Sequence, residues 1–271
     1  MIRLPSQFEI AGRALRQALR ERSAPPGAVV LAYHDVVVAE PAENEWVVSV
    51  ERLRSHVKTL RRLGFQIVPL PDLMDRYLTG ESVDQMAALT FDDALAGVYR
   101  FGAPALADLD APATVFVVSD APAGPPAWWP NSGPIMTNDE LLDLASVGWT
   151  IGAHSATHSS LPSVDPAALV DEVTGCRKRL VERGFDEPDF FAYPFGHYNE
   201  NVVAAMADAG FRASFSFLNG RILGELDRLR LPRLTMGIHS TPSRLAYHLL
   251  RAADTWPDHQ LPAVVGDASQ G

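Results

Sequence analysis

The chain has 271 residues, a formal net charge of -10 at pH 7 and 47% hydrophobic residues. That acidity excludes nucleic acid as the expected partner, and no stretch reaches the apolar length of a membrane span. With one cysteine, Cys176, an intrachain disulfide is excluded as well. In chain order, residues 1–26 read as a basic helical extension that ends at Pro25-Pro26 and carries Leu15 and Leu19 on one side. This start lacks the apolar core and small-residue cleavage site of a secretory signal, so the cytoplasm is the expected location. Eight short runs rich in Val, Ile, Phe and Thr follow, at 28–34, 65–70, 87–93, 113–119, 150–155, 189–195, 212–217 and 229–236. Helical patterns lie between them at 50–64, 138–148, 166–184 and 200–210, each closing on a glycine suited to a C-cap, and Pro242 opens one more.

Alternating strands and helices predict parallel strands with helical crossovers. The expected fold is α/β, a (β/α) barrel of seven or eight parallel strands spanning 27–256. An open doubly wound sheet is the alternative, and residues 257–271 are expected to form a flexible tail. In a barrel, reactive groups belong at the C-terminal ends of strands. The unusual polar residues fall there: Tyr33-His34-Asp35, Asp92-Asp93, His154, Tyr193-Pro194-Phe195-Gly196, and Arg233 in the last run. The irregular stretch 121–134 also follows a strand and contains Trp128 and Trp129. Those two rings either form a stacking surface for a sugar or pack the loop.

Two adjacent acids at the end of a buried strand repel each other and need a reason. His154 and His158, four apart, supply one. Two neutral imidazoles and a carboxylate make a three-ligand site with an open position for a divalent metal. In that arrangement Asp93 is a ligand and Asp92 stays free as a base beside the open position.

At this point the sequence resembles a family. Thr90-Phe91-Asp92-Asp93, His154-x-x-x-His158 and Phe191-Ala192-Tyr193-Pro194-Phe195-Gly196, in that order, are similar to the first three motifs of the polysaccharide deacetylases (carbohydrate esterase family 4). "VLAYHDV", "APATVFVVS" and "LPRLT" extend the resemblance over roughly residues 28 to 236. The resemblance implies a distorted (β/α) barrel and a hydrolase that removes an acetyl group from an N-acetylated amino sugar or glycoconjugate by metal-activated water. Zinc is the first choice of metal, with cobalt, nickel and manganese as alternatives. The resemblance implies Asp92 as general base, Asp93, His154 and His158 as metal ligands, and the Phe195 N–H as oxyanion donor; Tyr193, and Trp129 by its aromatic face, are expected on the substrate side.

There are departures from the family pattern. Ala94 stands where glycine is usual, and Ala192 where many members carry an arginine that orients the base. Arg233 either takes over that role or forms a structural salt bridge. The general acid is His34 or His239. Two other readings remain at this stage: hydrolysis of another amide or a cyclic imide or ureide, and a non-catalytic glycan-binding barrel.

Overall fold

A computed structural model describes residues 26–39 and 45–251. The extension read at 1–26, apart from Pro26, and the tail at 257–271 lie outside the described residues. All eight apolar runs contain a strand: β1 (Val29–Tyr33), β4 (Gln66–Ile67), β5 (Met86–Phe91), β6 (Thr114–Val117), β7 (Thr150–Ala153), β8 (Phe190–Ala192), β9 (Ala213–Phe215) and β10 (Leu234–Thr235). Two further short strands, β2 (Asp35–Val37) and β3 (Val47–Ser49), form a small parallel pair outside the main sheet.

The eight strands make one sheet, seven of them in the order β10-β1-β5-β6-β7-β8-β9 with β4 paired to β5 off this path, and every pairing is parallel. The sheet curls until its two ends nearly meet. Leu231 bridges to Phe215 of β9, and three residues on, Leu234 and the following Thr235 pair with Leu31 and Ala32 of β1. One stretch of chain therefore spans the gap, as expected of a distorted barrel.

The distortion lies at β4. A regular barrel would place this strand between β1 and β5, yet those two pair directly over five residues. β4 instead holds Met86 and Ala87 at the start of β5, while β6 holds Thr90 and Phe91 at its end. The run at 65–70 is also shorter as a strand than the sequence suggests. Pro69 precedes and Pro71 opens the helix Leu70–Leu78, where proline's fixed φ and missing N–H suit a first turn. Leu70, Leu73 and Met74 of this helix join the interior cluster of Val30, Ala88, Phe116 and Phe215. A second cluster lies outside the strands, where Val29, Leu31, Leu89 and Val115 meet Leu53, Val57 and Leu60 of the helix Val50–Arg62. The strands are thus buried on both faces, as parallel strands must be.

The helix read at 166–184 is interrupted. Pro166–Val170 and Cys176–Glu182 are joined by a π-helical turn, Asp171–Gly175. No helix among the described residues is long and apolar enough to cross a membrane.

Gly152 of β7 lies two residues before His154. A Cβ there would meet Phe116 Cδ1 at 2.4 Å and Cε1 at 2.5 Å, with the Phe190 carbonyl at 3.2 Å. Gly152→Ala is therefore expected to lower unfolding stability by about 1–3 kcal/mol in urea denaturation, because the buried Phe116 ring must leave its rotamer.

Candidate active site

Parallel strands bring all their C-terminal ends to one rim, and the polar residues named above follow those ends. His34 and Asp35 leave β1, Asp92 and Asp93 leave β5, and His154 leaves β7. Arg233 enters from the stretch that spans the sheet ends.

Asp93, His154 and His158 converge, with one potential ligand atom from each lying within 4.8 Å of the others, and all three side chains are buried. Asp93 Oδ1 stands 3.2 Å from His158 Nε2 and 3.5 Å from His154 Nε2. Donor atoms sharing one zinc at ~2.1 Å would stand roughly 3.4 Å apart. The Oδ1 atom is buried without a hydrogen-bond partner among the described residues. His154 Nδ1 lies 2.7 Å from the Ala192 carbonyl, an arrangement in which Nδ1–H donates and the Nε2 lone pair faces Asp93. Burial, against the field of Asp92, pushes His154 down to about 4, so it is neutral at pH 7. Burial alone would raise the Asp93 carboxyl, but the His158 contact and the fields of His154 and His34 outweigh it and hold Asp93 at about 2. An ionised, buried carboxylate oxygen whose nearest polar neighbours are imidazole nitrogens at ligand spacing fits a divalent cation.

Asp92 has a different environment. It is fully buried and accepts two hydrogen bonds from Arg233, Nη1 to Oδ1 at 2.7 Å and Nη2 to Oδ2 at 2.8 Å. Arg233, also fully buried, further donates to Thr90 Oγ1 (3.1 Å) and the Ser216 carbonyl (3.3 Å). Its guanidinium lies 5.0 Å from the Phe217 ring centroid and 5.5 Å from that of Phe116. Burial raises the Asp92 pKa, but the Arg233 charge leads the opposing effects and the net shift is downward. Where Ala192 departs from the arginine of the family motif, a guanidinium reaches the acid from the opposite end of the sheet.

The two histidine candidates separate. His34 is 8% exposed, with Nδ1 buried and lacking a hydrogen-bond partner among the described residues. Burial lowers its pKa, while the fields of Asp93 and Asp92 act in the opposite direction. His239 is exposed on the turn before the helix Pro242–Arg251, where its carbonyl accepts from Thr241 and Arg244. The structure does not bring His239 into this cluster, because the chain turns outward before reaching the rim. Tyr193 is likewise committed elsewhere, its buried hydroxyl donating to the Leu229 carbonyl at 2.7 Å.

The rim is lined with rings. Trp128 stacks on His158, centroids 4.4 Å apart and planes 12° apart, and Phe195 meets the same imidazole edge-on at 4.6 Å. Trp46 (5.0 Å), Phe217 (5.7 Å) and Trp129 (6.1 Å) surround His34. Trp129 thus lies beside His34. Trp46, which precedes β3, and Phe217, after β9, were not singled out by the sequence patterns. Nor was Glu172, which holds the loop carrying His158. Its signal was an acid on the apolar stripe of Leu169, Val173, Cys176 and Leu180.

A family profile described as Polysaccharide deacetylase matches residues 79–214. YxkH of Bacillus subtilis (strain 168), named for that family, is 22% identical over 185 residues, covering 68% of this chain and 62% of its own length. Among solved structures, the Streptococcus pyogenes deacetylase PplD in complex with acetate superposes with a TM-score of 0.72 at 20% identity, covering 83% of this chain and 99% of PplD. A de-N-acetylase from Aggregatibacter actinomycetemcomitans gives 0.69 at 22% identity, covering 82% and 99%. At these identities the two structures establish the shared fold.

Asp35, next to His34, is 4% exposed, and burial pushes its carboxyl up to about 6 against the Val36 N–H bond. A raised carboxyl contributes stability below its unfolded pKa and loses it as pH rises through the folded value. Asp35→Asn should therefore gain on the wild type between pH 4 and pH 7, by about 3 kcal/mol for a two-unit shift. Denaturation curves at three pH values in that window check it. The His154 shift is present in both proteins and cancels in the difference.

Proposed function

The chain belongs to the polysaccharide deacetylase family, and we propose that it hydrolyses the acetamide of an N-acetylated amino sugar or glycoconjugate, with a divalent cation held by Asp93, His154 and His158. One observation carries this reading: adjacent aspartates sit in opposite environments, Asp92 paired with Arg233 and Asp93 facing imidazole nitrogens. Structural pairing needs only one of those environments. A ligand beside a base needs both. Two imidazoles and a carboxylate suit zinc, and also cobalt, nickel or manganese.

When bound, the cation would polarise the acetyl carbonyl and acidify a neighbouring water. The chain supplies the rest. Asp92 is the general base: Arg233 keeps it ionised and fixes its plane, and each carboxylate oxygen retains a lone pair for a proton. Arg233 is thus a positioning residue for the base. His34, close enough for the fields of both acids to reach it, is the general acid that protonates the departing nitrogen. Burial lowers its pKa and so favours the neutral ring, which takes a proton from solvent before giving one to the nitrogen. The Phe195 N–H is the oxyanion donor carried over from the family motif, on a residue held at φ 58°. Trp46, Trp128 and Trp129 give the mouth flat apolar faces that suit the C–H face of a pyranose. The acetate bound to PplD is the product such a reaction would release.

The test is acetate release from N-acetylated mono- and oligosaccharides with and without chelator. Release that is insensitive to metal stripping, or no release from any member, overturns the reading. Asp92→Asn should cut turnover by about 10²–10⁴-fold with metal content unchanged, whereas His158→Ala should lose metal and activity together. His34→Asn should slow an amide substrate by a similar factor while sparing an activated acetyl ester, whose leaving group needs no proton. Equal losses on both substrates would remove His34 from the acid role.

A further inference from the structure

This inference rests on the reading that Asp93, His154 and His158 hold a divalent cation. We propose that Glu172, a buried carboxylate on the π-helical turn Asp171–Gly175, is a positioning residue that sets cation affinity by locking the loop that presents His158.

The two imidazoles are held differently. His154 has its Nδ1 against the Ala192 carbonyl, which fixes the ring. His158 Nδ1 is buried without a hydrogen-bond partner among the described residues, so ring packing and its own backbone must set its orientation. That backbone is strained. Ser155 and His158 have φ of 65° and 64°, a region L-residues rarely occupy. The His158 N–H bonds to Ser155 Oγ at 2.9 Å, closing the turn from within.

The two residues between them are held by Glu172. Its Oε2 accepts from the Ala156 N–H at 3.0 Å and the Thr157 N–H at 2.9 Å, and its Oε1 accepts from Thr157 Oγ1. Its carbonyl also accepts from the Ala156 N–H at 3.1 Å. The side chain is 6% exposed. A charged acceptor makes these bonds stronger than a neutral one would. The π-helical turn places this acid on a stripe otherwise given to Leu169, Val173 and Cys176. Gly175 admits the Asp171 carboxylate within that turn, since a Cβ there would lie 2.3 Å from Asp171 Oδ1. Glu172 therefore does through the backbone for His158 what the Ala192 carbonyl does directly for His154.

The experiment uses the full chain stripped of metal. Zinc affinity is measured by chelator competition, the cobalt visible spectrum reports coordination, and thermal melting reports folding, for wild type, Glu172→Gln and Glu172→Ala. The expected result is roughly 10–100-fold weaker zinc binding, the range for lost outer-shell support, with an altered cobalt spectrum. A merely structural role would lower the melting temperature and leave both metal readouts unchanged, which overturns the proposal. If Glu172→Ala does not fold, Glu172→Gln, which keeps the volume and one acceptor oxygen, decides. If neither folds, Thr157→Val decides: it retains the carboxylate and removes one donor, and unchanged zinc affinity there overturns the proposal. Wild type that binds no zinc or cobalt fails the functional reading itself, a result distinct from equal affinities in wild type and variant.

Discussion

A guanidinium and a carboxylate face each other inside the rim with no exposed surface on either. Desolvating such a pair costs several kcal/mol per ion, and apolar replacements of similar volume are often as stable. Its persistence therefore needs a reason other than stability. Removing one partner would leave a buried charge, at a cost of about 3–5 kcal/mol. Arg233 lies on the stretch that spans the sheet ends, and Asp92 follows β5, so the contact that helps close the curled sheet also aims the acid. Thr90, Ser216 and the faces of Phe116 and Phe217 complete the surroundings of the guanidinium. Neutralising Asp92 in this way leaves Asp93 as the unbalanced charge, and that imbalance is what a cation would relieve.

The rim also concentrates backbone strain. Seven non-glycine residues among those described have positive φ, and five of them, Asp93, Ala94, Ser155, His158 and Phe195, lie in the loops of this site. Each costs on the order of 1–2 kcal/mol relative to a right-handed conformation. The departure at Ala94 now has a physical meaning: the turn after the acids demands a left-handed residue, and alanine occupies it at φ 55°. Such positions persist only where surrounding bonds over-determine them. The Glu172 carboxylate shows how one of these loops meets that condition.

The sequence patterns were most informative where burial has a simple period. All eight apolar runs contain strands, because strands buried on both faces need continuous apolar stretches. Arg233 and the acid pair were visible as polar residues breaking such runs. What stayed hidden depends on non-local geometry. Nothing in the periodicity of 65–70 shows that β1 will pair past it to β5. His34 and His239 are indistinguishable as isolated imidazoles, since only the path of the loops decides which one reaches the acids. Trp46 precedes a three-residue strand too short to announce itself, and Glu172 needed a π-helical insertion that no 3.6-residue pattern contains.

The segment 236–241, which carries His239, bears on the site through other residues. Its histidine turns outward, but its glycine and isoleucine hold the wall of the site. The Ile238 N–H donates to the Glu45 carbonyl at 3.0 Å, and a Cβ on Gly237 would stand only 1.9 Å from that same oxygen. The chain before β3 can settle this closely only because residue 237 has no side chain. The residue that follows is Trp46, whose ring leans on His34 and stacks on Phe217. A segment after the last strand thereby fixes an aromatic wall beside the first strand, next to the imidazole that the acids' field reaches.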